Sequence, residues 1–236
     1  EDLPRIIHEA FYVARAGRPG PVVIDIPKNI MNQKLTYRDK PDAVRPSYRP
    51  QTVVDDAQIA KAVALMASAK RPVFYVGGGL INAGEDACKK LFELVKLTGF
   101  PITNTLMGLG SFPGTDKQFL GMLGMHGSLE ANMCMAECDV MIAIGARFDD
   151  RVTGRLDAFS PKSKKIHVDI DASSINKTVR VHVPIVGDAG FVVEKMLKLW
   201  KDSGSRIQDS GSKASSPNPE SRILSPLEEW WAQIET

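Results

Sequence analysis

Residues 140–154 read VMIAIGARFDDRVTG, and this stretch decides the fold. Val140 to Ile144 are five apolar residues ending at a glycine, the pattern of a strand buried on both faces. Two arginines and two aspartates follow at once, so the strand runs from a core straight to a polar edge. The same grammar repeats outward. Pro72 to Val76 is an apolar strand ending in Gly77-Gly78-Gly79, and Phe100 to Asn104 is another. Ile166 to Ile170 and a short strand around Ile185 and Val186 follow downstream. Helical spacings alternate with them: Ile59, Val63 and Met66; Leu91, Leu94 and Val95; Val193, Met196, Leu197 and Trp200. Near-continuous apolar strands alternating with amphipathic helices predict an α/β fold, a doubly wound parallel sheet covered on both faces, over residues 55–201.

The flanks read differently. Ile7, Ala10, Phe11 and Ala14 recur at i, i+3, i+4, i+7 and predict a helix with one buried face. A turn, Gly17 to Pro21, leads into a predicted strand, Val22 to Ile26, stopped by Pro27. Residues 1–30 therefore read as the end of a separate unit. Residues 31–51 are polar and punctuated by Pro41, Pro46 and Pro50, as an inter-domain crossing would be. Residues 202–222, rich in Ser, Gly and Pro, read as a flexible linker. Over 223–236, Ser225-Pro226-Leu227-Glu228 supplies an N-cap, a first-turn proline and a capping-box acid for a new helix carrying Trp230 and Trp231. A chain that opens on an amphipathic helix and stops soon after starting another reads as a fragment of something longer.

Composition narrows the classes. With 43% hydrophobic and 25% charged residues in 236, the chain is globular rather than disordered. Thirty basic against twenty-eight acidic residues give +2 without any basic run, which argues against nucleic acid. No apolar stretch approaches the roughly 18 residues of a membrane helix. Three cysteines, none in a C-x-x-C pair, point to a reducing compartment rather than a disulfide framework.

Open parallel sheets bind ligands beyond the carboxyl ends of their strands, so the residues after each strand are the candidates. Gly77-Gly78-Gly79 would let a ligand approach bare backbone, although a plain turn is the better reading of a triple glycine alone. Thr105 to Gly110 and Leu120 to Gly127 interleave glycines with Leu and Met, which suits either a wall for a flat apolar ligand or a buried loop. In Gly145 to Gly154, Arg147 and Arg151 are suited to pyrophosphate, and Asp149 and Asp150 to sugar hydroxyls; a self-neutralising salt-bridge cluster is the other possibility. Asp169 ends a strand where ribose hydroxyls are often held, while Asp188 suits that role or a helix N-cap.

Catalytic groups are harder to find. The G-x-G-x-x-G count from Gly77 fails at Asn82, and there is no Walker A or G-x-S-x-G sequence. Cys134 and Cys138 lack partner ligands and read as core thiols. His8, His167 and His182 are scattered. Asp149 and Asp150 lie between arginines, which favours ionised carboxylates over a general acid. The stretch offers a binding site with neither catalytic residue nor metal ligand.

Taken together, GRPGP (17–21) with DIPK (25–28), YVGGG (75–79), TLMGLG (105–110), LGMLGMHG (120–127), GARFDDRVTG (145–154) and HVDID (167–171) resemble the large catalytic subunit of acetohydroxyacid synthases (acetolactate synthases), in the same order over roughly residues 1–200. The resemblance implies a thiamine-diphosphate enzyme of three α/β domains. Residues 1–30 would end the pyrimidine-binding domain, 52–201 form a Rossmann-like middle domain holding FAD, and 223–236 start the third domain. It implies FAD contacts at Arg18; Gly77, Gly78 and Gly79; Thr105 and Leu106; Leu123, Gly124, Met125 and His126. Gly145, Ala146, Arg147, Phe148 and Asp149, Asp169 and Ile170, and Asp188 and Ala189 complete the set. Lys28, His126, Asp150 and Arg151 match positions lining the substrate and inhibitor channel. The family condenses pyruvate with pyruvate or 2-oxobutyrate in branched-chain amino-acid synthesis, with no net redox role for the flavin.

The resemblance further implies a homo-oligomer with a small regulatory subunit as possible partner, in the cytoplasm, or in a plastid or mitochondrion in a eukaryote. Asn29 stands where the family usually has Asp. The thiamine-activating glutamate and the motif for the diphosphate and Mg²⁺ fall in domains absent from this stretch, which alone would be inactive. A sister thiamine enzyme such as an oxalyl-CoA decarboxylase or glyoxylate carboligase, and a stand-alone module for NAD or ADP, are the competing readings.

Overall fold

The computed structural model describes residues 2–36, 53–209 and 225–235. The chain divides into two compact units, Glu1–Gln51 and Thr52–Thr236.

In the first unit, α1 (Leu3–Arg15) and α2 (Lys28–Met31) are the regular elements among the described residues. The apolar stripe of α1 is present but not buried: Phe11 is 68% exposed, because nothing in the described part of this unit covers it. Residues 22–26 are extended but form no strand, since no neighbouring strand among the described residues pairs with them. Most of the expected crossing, residues 37–51, lies outside the described residues.

The second unit is one sheet of six parallel strands: β1 (Pro72–Val76), β2 (Ile102–Asn104), β3 (Phe119–Met122), β4 (Val140–Ile144), β5 (Lys164–Asp169) and β6 (Val183–Val186). Their spatial order is β3-β2-β1-β4-β5-β6. One face presents Phe74, Val76, Ile142, Ile144, Ile166 and Val168 to the core formed with α3 (Asp56–Ala67), α5 (Glu85–Thr98) and α8 (Ala189–Asp209). These helices follow from the predicted apolar spacings. Asp55 caps α3 by accepting from Ala57 N, and Gly99, at φ +72°, ends α5 in the left-handed conformation.

The opposite face, built on Val73, Tyr75, Met141 and Ala143, packs against α6 (Leu129–Glu137) and against α9 (Pro226–Ile234). The capping box forms as expected, with Glu228 N donating to Ser225 Oγ and Ser225 N to Glu228 Oε2. Trp230 is buried, and its indole N–H donates to Pro72 O (3.1 Å); that of Trp231 donates to Gly99 O (2.9 Å). α9 is thereby fastened to the amino-terminal edge of the sheet.

Four local readings change. Phe119–Met122, expected to be loop, is an edge strand with shifted register, because Gly121 at φ +91° kinks the pairing and Thr103 Oγ1 donates to its carbonyl (2.9 Å). The triple glycine opens a short helix, α4 (Gly78–Asn82). The expected linker from residue 202 is helical as far as Asp209, with Ser203 Oγ donating back to Trp200 O (2.8 Å); the remainder to 222 lies outside the described residues. Finally, β5 is not uniformly apolar.

Between β4 and β5 the only α-helix is α7 (Asp150–Thr153), so the crossover covers its face of the sheet with turns. Turn carbonyls lack a helical ladder and need donors. The buried residues of β5 that alternate to that face supply them. Lys165 Nζ donates to Ser160 O (2.8 Å) and Ser163 O (3.3 Å), and His167 Nε2 to Ala146 O (2.8 Å).

Trp230 tests the α9 attachment. Replacement by Ala should lower unfolding free energy by about 3–5 kcal/mol, through lost burial and the cavity left behind. Replacement by Phe, which loses mainly one hydrogen bond, should cost about 1 kcal/mol. Urea unfolding of the two variants measures both.

Candidate functional site

All carboxyl ends lie on one edge, and the strand order reverses between β1 and β4. At that switch point the two strands are followed by Gly77 and Gly145. Gly77 N donates to Ile144 O (2.9 Å) and Gly79 N to Gly145 O (3.1 Å). A Cβ on Gly77 would stand 2.2 Å from the Gly145 carbonyl oxygen, and one on Gly79 would stand 2.6 Å from Gly145 Cα. On the other flank, a Cβ on Gly108 would lie 2.4 Å from Val76 O. The floor of the crevice is therefore backbone packed on backbone, open to whatever lies above it.

Side chains project from loops around this floor. Thr105 Oγ1 accepts from Gly108 N (3.1 Å), closing a tight turn that leaves Leu106 and Met107 exposed. The loop Leu123–His126 is clamped by Asn132, which accepts from Gly124 N (2.8 Å) and donates to Gly124 O (3.1 Å). Met125 N donates to Arg151 O (2.9 Å), and Arg151 Nη1 lies 3.9 Å from Met125 Sδ. The structure thus ties the loop carrying His126 to the one carrying Asp150 and Arg151, and all three side chains are exposed.

In the Gly145–Asp149 loop, Phe148 has φ +53°, unusual for a bulky residue. Its buried ring packs against Tyr75, Phe159 and His167, with centroids 5.6, 6.0 and 4.9 Å away. Arg147 and Asp149 flank this anchored ring and are exposed, with Arg147 Nη2 3.5 Å from Asp149 Oδ2. Asp149 caps α7 by accepting from Arg151 N (3.3 Å). A hydrogen bond with the Asp150 carboxyl, then that backbone N–H, hold the Asp149 carboxyl below the usual carboxylate range.

At the end of β5, Asp169 is buried and accepts from Asp171 N (2.9 Å), with Ile170 beside it half-buried. Asp188 Oδ1 is engaged as the cap of α8, accepting from Gly190 N (2.8 Å) and Phe191 N (3.2 Å), and Ala189 is buried. Arg18 and Lys28 belong to the first unit: Arg18 is exposed after Gly17, and Lys28 opens α2. Cys134 and Cys138 are core thiols, and burial pushes Cys138 up to about 11. Among the described residues no three His, Cys, Asp or Glu side chains are placed to hold a metal ion.

Two contributors escape motif reasoning. Asn132 looks like an ordinary helical residue, and His167 is one of several scattered histidines. The alternation Lys165, Ile166, His167, Val168, Asp169 carries the signal for His167, because polar residues at every second position of a covered strand must meet polar groups.

A parallel sheet in this order, with a glycine-floored crevice at its switch point, defines the doubly wound class of ligand-binding domain. The model for the central domain of thiamine pyrophosphate enzymes matches residues 59–196, and the chain belongs to that family. It is 44% identical over 236 residues to an acetolactate synthase large subunit of Haemophilus influenzae, covering 99% of this chain and 38% of the relative. It is 45% identical over 237 residues to the isozyme 3 large subunit of Escherichia coli, covering 100% and 38%. With the large subunit of Corynebacterium glutamicum it shares 46% over 208 residues, 88% of this chain and 33% of that one. The chain thus spans between 33% and 38% of the length of these relatives.

Two outcomes are expected. Gly145→Ala forces a Cβ into the Gly79 backbone at φ +60° and should destabilise the second unit by at least about 2 kcal/mol, measured by urea unfolding. His167 is held down to about 4, first by burial, against the Ala146 hydrogen bond that raises it. Its unfolded value is about 6.5, so between these values the unfolded chain binds the proton and the folded one does not. Stability from this group is complete above about pH 6.5 and is lost as pH falls towards 4, by about 3 kcal/mol in all. Asp169, with Oδ2 3.8 Å from Nε2, is the nearest carboxylate. Unfolding at pH 7 and pH 4 should show a smaller decline for His167→Gln than for the natural chain.

Proposed function

We propose that the chain is the FAD-holding middle part of an acetolactate synthase large subunit, joined to parts of its neighbouring domains. The observation that carries this reading is its 44–45% identity, over essentially the whole chain, to proteins of that name. The fit of the site to an extended dinucleotide supports it. Six strands at about 4.8 Å spacing make a carboxyl edge about 24 Å wide, long enough for such a ligand to lie across it. Gly77, Gly79 and Gly145 give a floor without side chains, and Asp169 stands at a strand end where ribose hydroxyls are bound. Arg147 supplies an exposed guanidinium for the pyrophosphate, and Leu106 and Met125 supply apolar surface for the flat ring.

In this reading FAD has no net redox role in the main reaction. Gly77 to Gly79, Thr105, Leu106, Leu123 to His126, Gly145 to Asp149, Asp169 and Ile170 bind and orient it. Asp188 serves through its remaining carboxylate oxygen or as the cap that fixes the backbone of Ala189. His126, Asp150 and Arg151 then line the channel to the reacting centre. Thiamine diphosphate and Mg²⁺ are assigned to the remaining length of such an enzyme. Its reaction is decarboxylation of pyruvate and transfer of the two-carbon unit to pyruvate or 2-oxobutyrate, on the route to valine, leucine and isoleucine. An oligomer with a small regulatory subunit fits relatives named as large subunits. A reducing cytoplasm fits three free thiols.

Titration of the chain with FAD, followed by flavin fluorescence with NAD as competitor, tests the assignment. Saturable binding that NAD does not displace is expected, and Arg147→Ala should weaken it about tenfold, or about 1.4 kcal/mol. Displacement by NAD at equal concentration would replace the flavin reading with that of a general nucleotide module.

A further inference from the structure

The Gly145–Asp149 loop is held mainly from below. Phe148 keeps its positive φ with its ring boxed by Tyr75, Phe159 and His167, and the imidazole meets that ring edge-on at 4.9 Å. Ala146 O, one residue before Arg147, lies 2.8 Å from His167 Nε2. A carbonyl only accepts, so Nε2 carries the proton and Nδ1 is a bare acceptor. That Nδ1 is buried without a hydrogen-bond partner. A leucine would fill the space without an orphaned polar atom, so packing alone does not ask for histidine here; the Nε2 donor does. Just beyond the loop, in α7, Val152 and Thr153 border a cavity of about 150 Å³.

We propose that His167 is a positioning residue for the ligand loop. As the neutral tautomer protonated on Nε2, it fixes the Ala146 carbonyl and walls in the Phe148 ring, and so directs Arg147 and Asp149 to the carboxyl edge. His167 touches no ligand itself. Lys165 and Asp169, the charged groups on the same face of β5, do not compete for the role. Lys165 Nζ is engaged by Ser160 O and Ser163 O, and the Asp169 carboxylate lies beyond hydrogen-bond reach of Nε2 at 3.8 Å.

The test is hydrogen exchange, resolved by peptide, on the 236-residue chain and its His167→Leu and His167→Gln variants, without ligand. Gln can place an N–H where Nε2 stands, and Leu cannot. In His167→Leu, amides of residues 145–152 should exchange at least about tenfold faster while β1 and α5 keep their protection. In His167→Gln the loop should remain within about threefold of the natural chain. Equal acceleration throughout the second unit, or none in the loop, overturns the proposal. Should His167→Leu not fold, His167→Asn takes its place, since Asn falls short of Ala146 and the loop should loosen there but not with Gln.

The part concerning ligand rests on the flavin reading and is measured separately. FAD affinity should fall about tenfold in the loosened variant and recover with Gln. Failure of the natural chain to bind FAD would sink the flavin reading, while loop exchange would still judge His167.

Discussion

The constraint on which the second unit depends is the approach of two backbones at the ends of β1 and β4. The Gly145 oxygen would stand 2.2 Å from any Cβ at Gly77, and the Gly79 amide donates to that same oxygen. Because no side chain fits between them, the crevice has a floor made of main chain. Everything that can distinguish one ligand from another must then stand on the loops around it. Thr105, Asn132 and Phe148 serve that arrangement: each fixes the backbone of one loop and leaves its neighbours exposed.

A second constraint follows from the short α7. Doubly wound sheets usually cover each crossover with a helix, whose backbone groups satisfy one another. Here turns cover β5, and buried Lys165 and His167 satisfy carbonyls that a helix would have satisfied internally. The polar row is thus a consequence of the crossover's irregular path. That path in turn leaves the loop before α7 free to carry two arginines and two aspartates to the sheet edge.

Much of this was legible from residue patterns. Strands β1, β2, β4 and β6, helices α3, α5 and α8, and the capping box of α9 follow from apolar spacing and local chemistry, which act over a few residues. What escaped depends on contacts distant in sequence. β3 is interrupted by Gly121 and is a strand only because β2 lies beside it. The stripe on α1 promises burial that the described part of its unit does not provide. His167 gains meaning only when residue 146 is folded over it, twenty-one positions away. The strand-end candidates of the second unit all lie on the expected edge, because parallel topology alone puts them there. The cap made by Asp188 is equally local and equally readable.

The two indoles of α9 have a mechanical consequence. They grip the sheet at Pro72 and Gly99, just where β1 begins and just before β2. Tension applied through α9 would reach the sheet at the start of a strand with neighbours on both sides, so that two ladders would share the load. The strand that α9 is fastened to at its start is also the one that carries the crevice floor, at Gly77, at its other end.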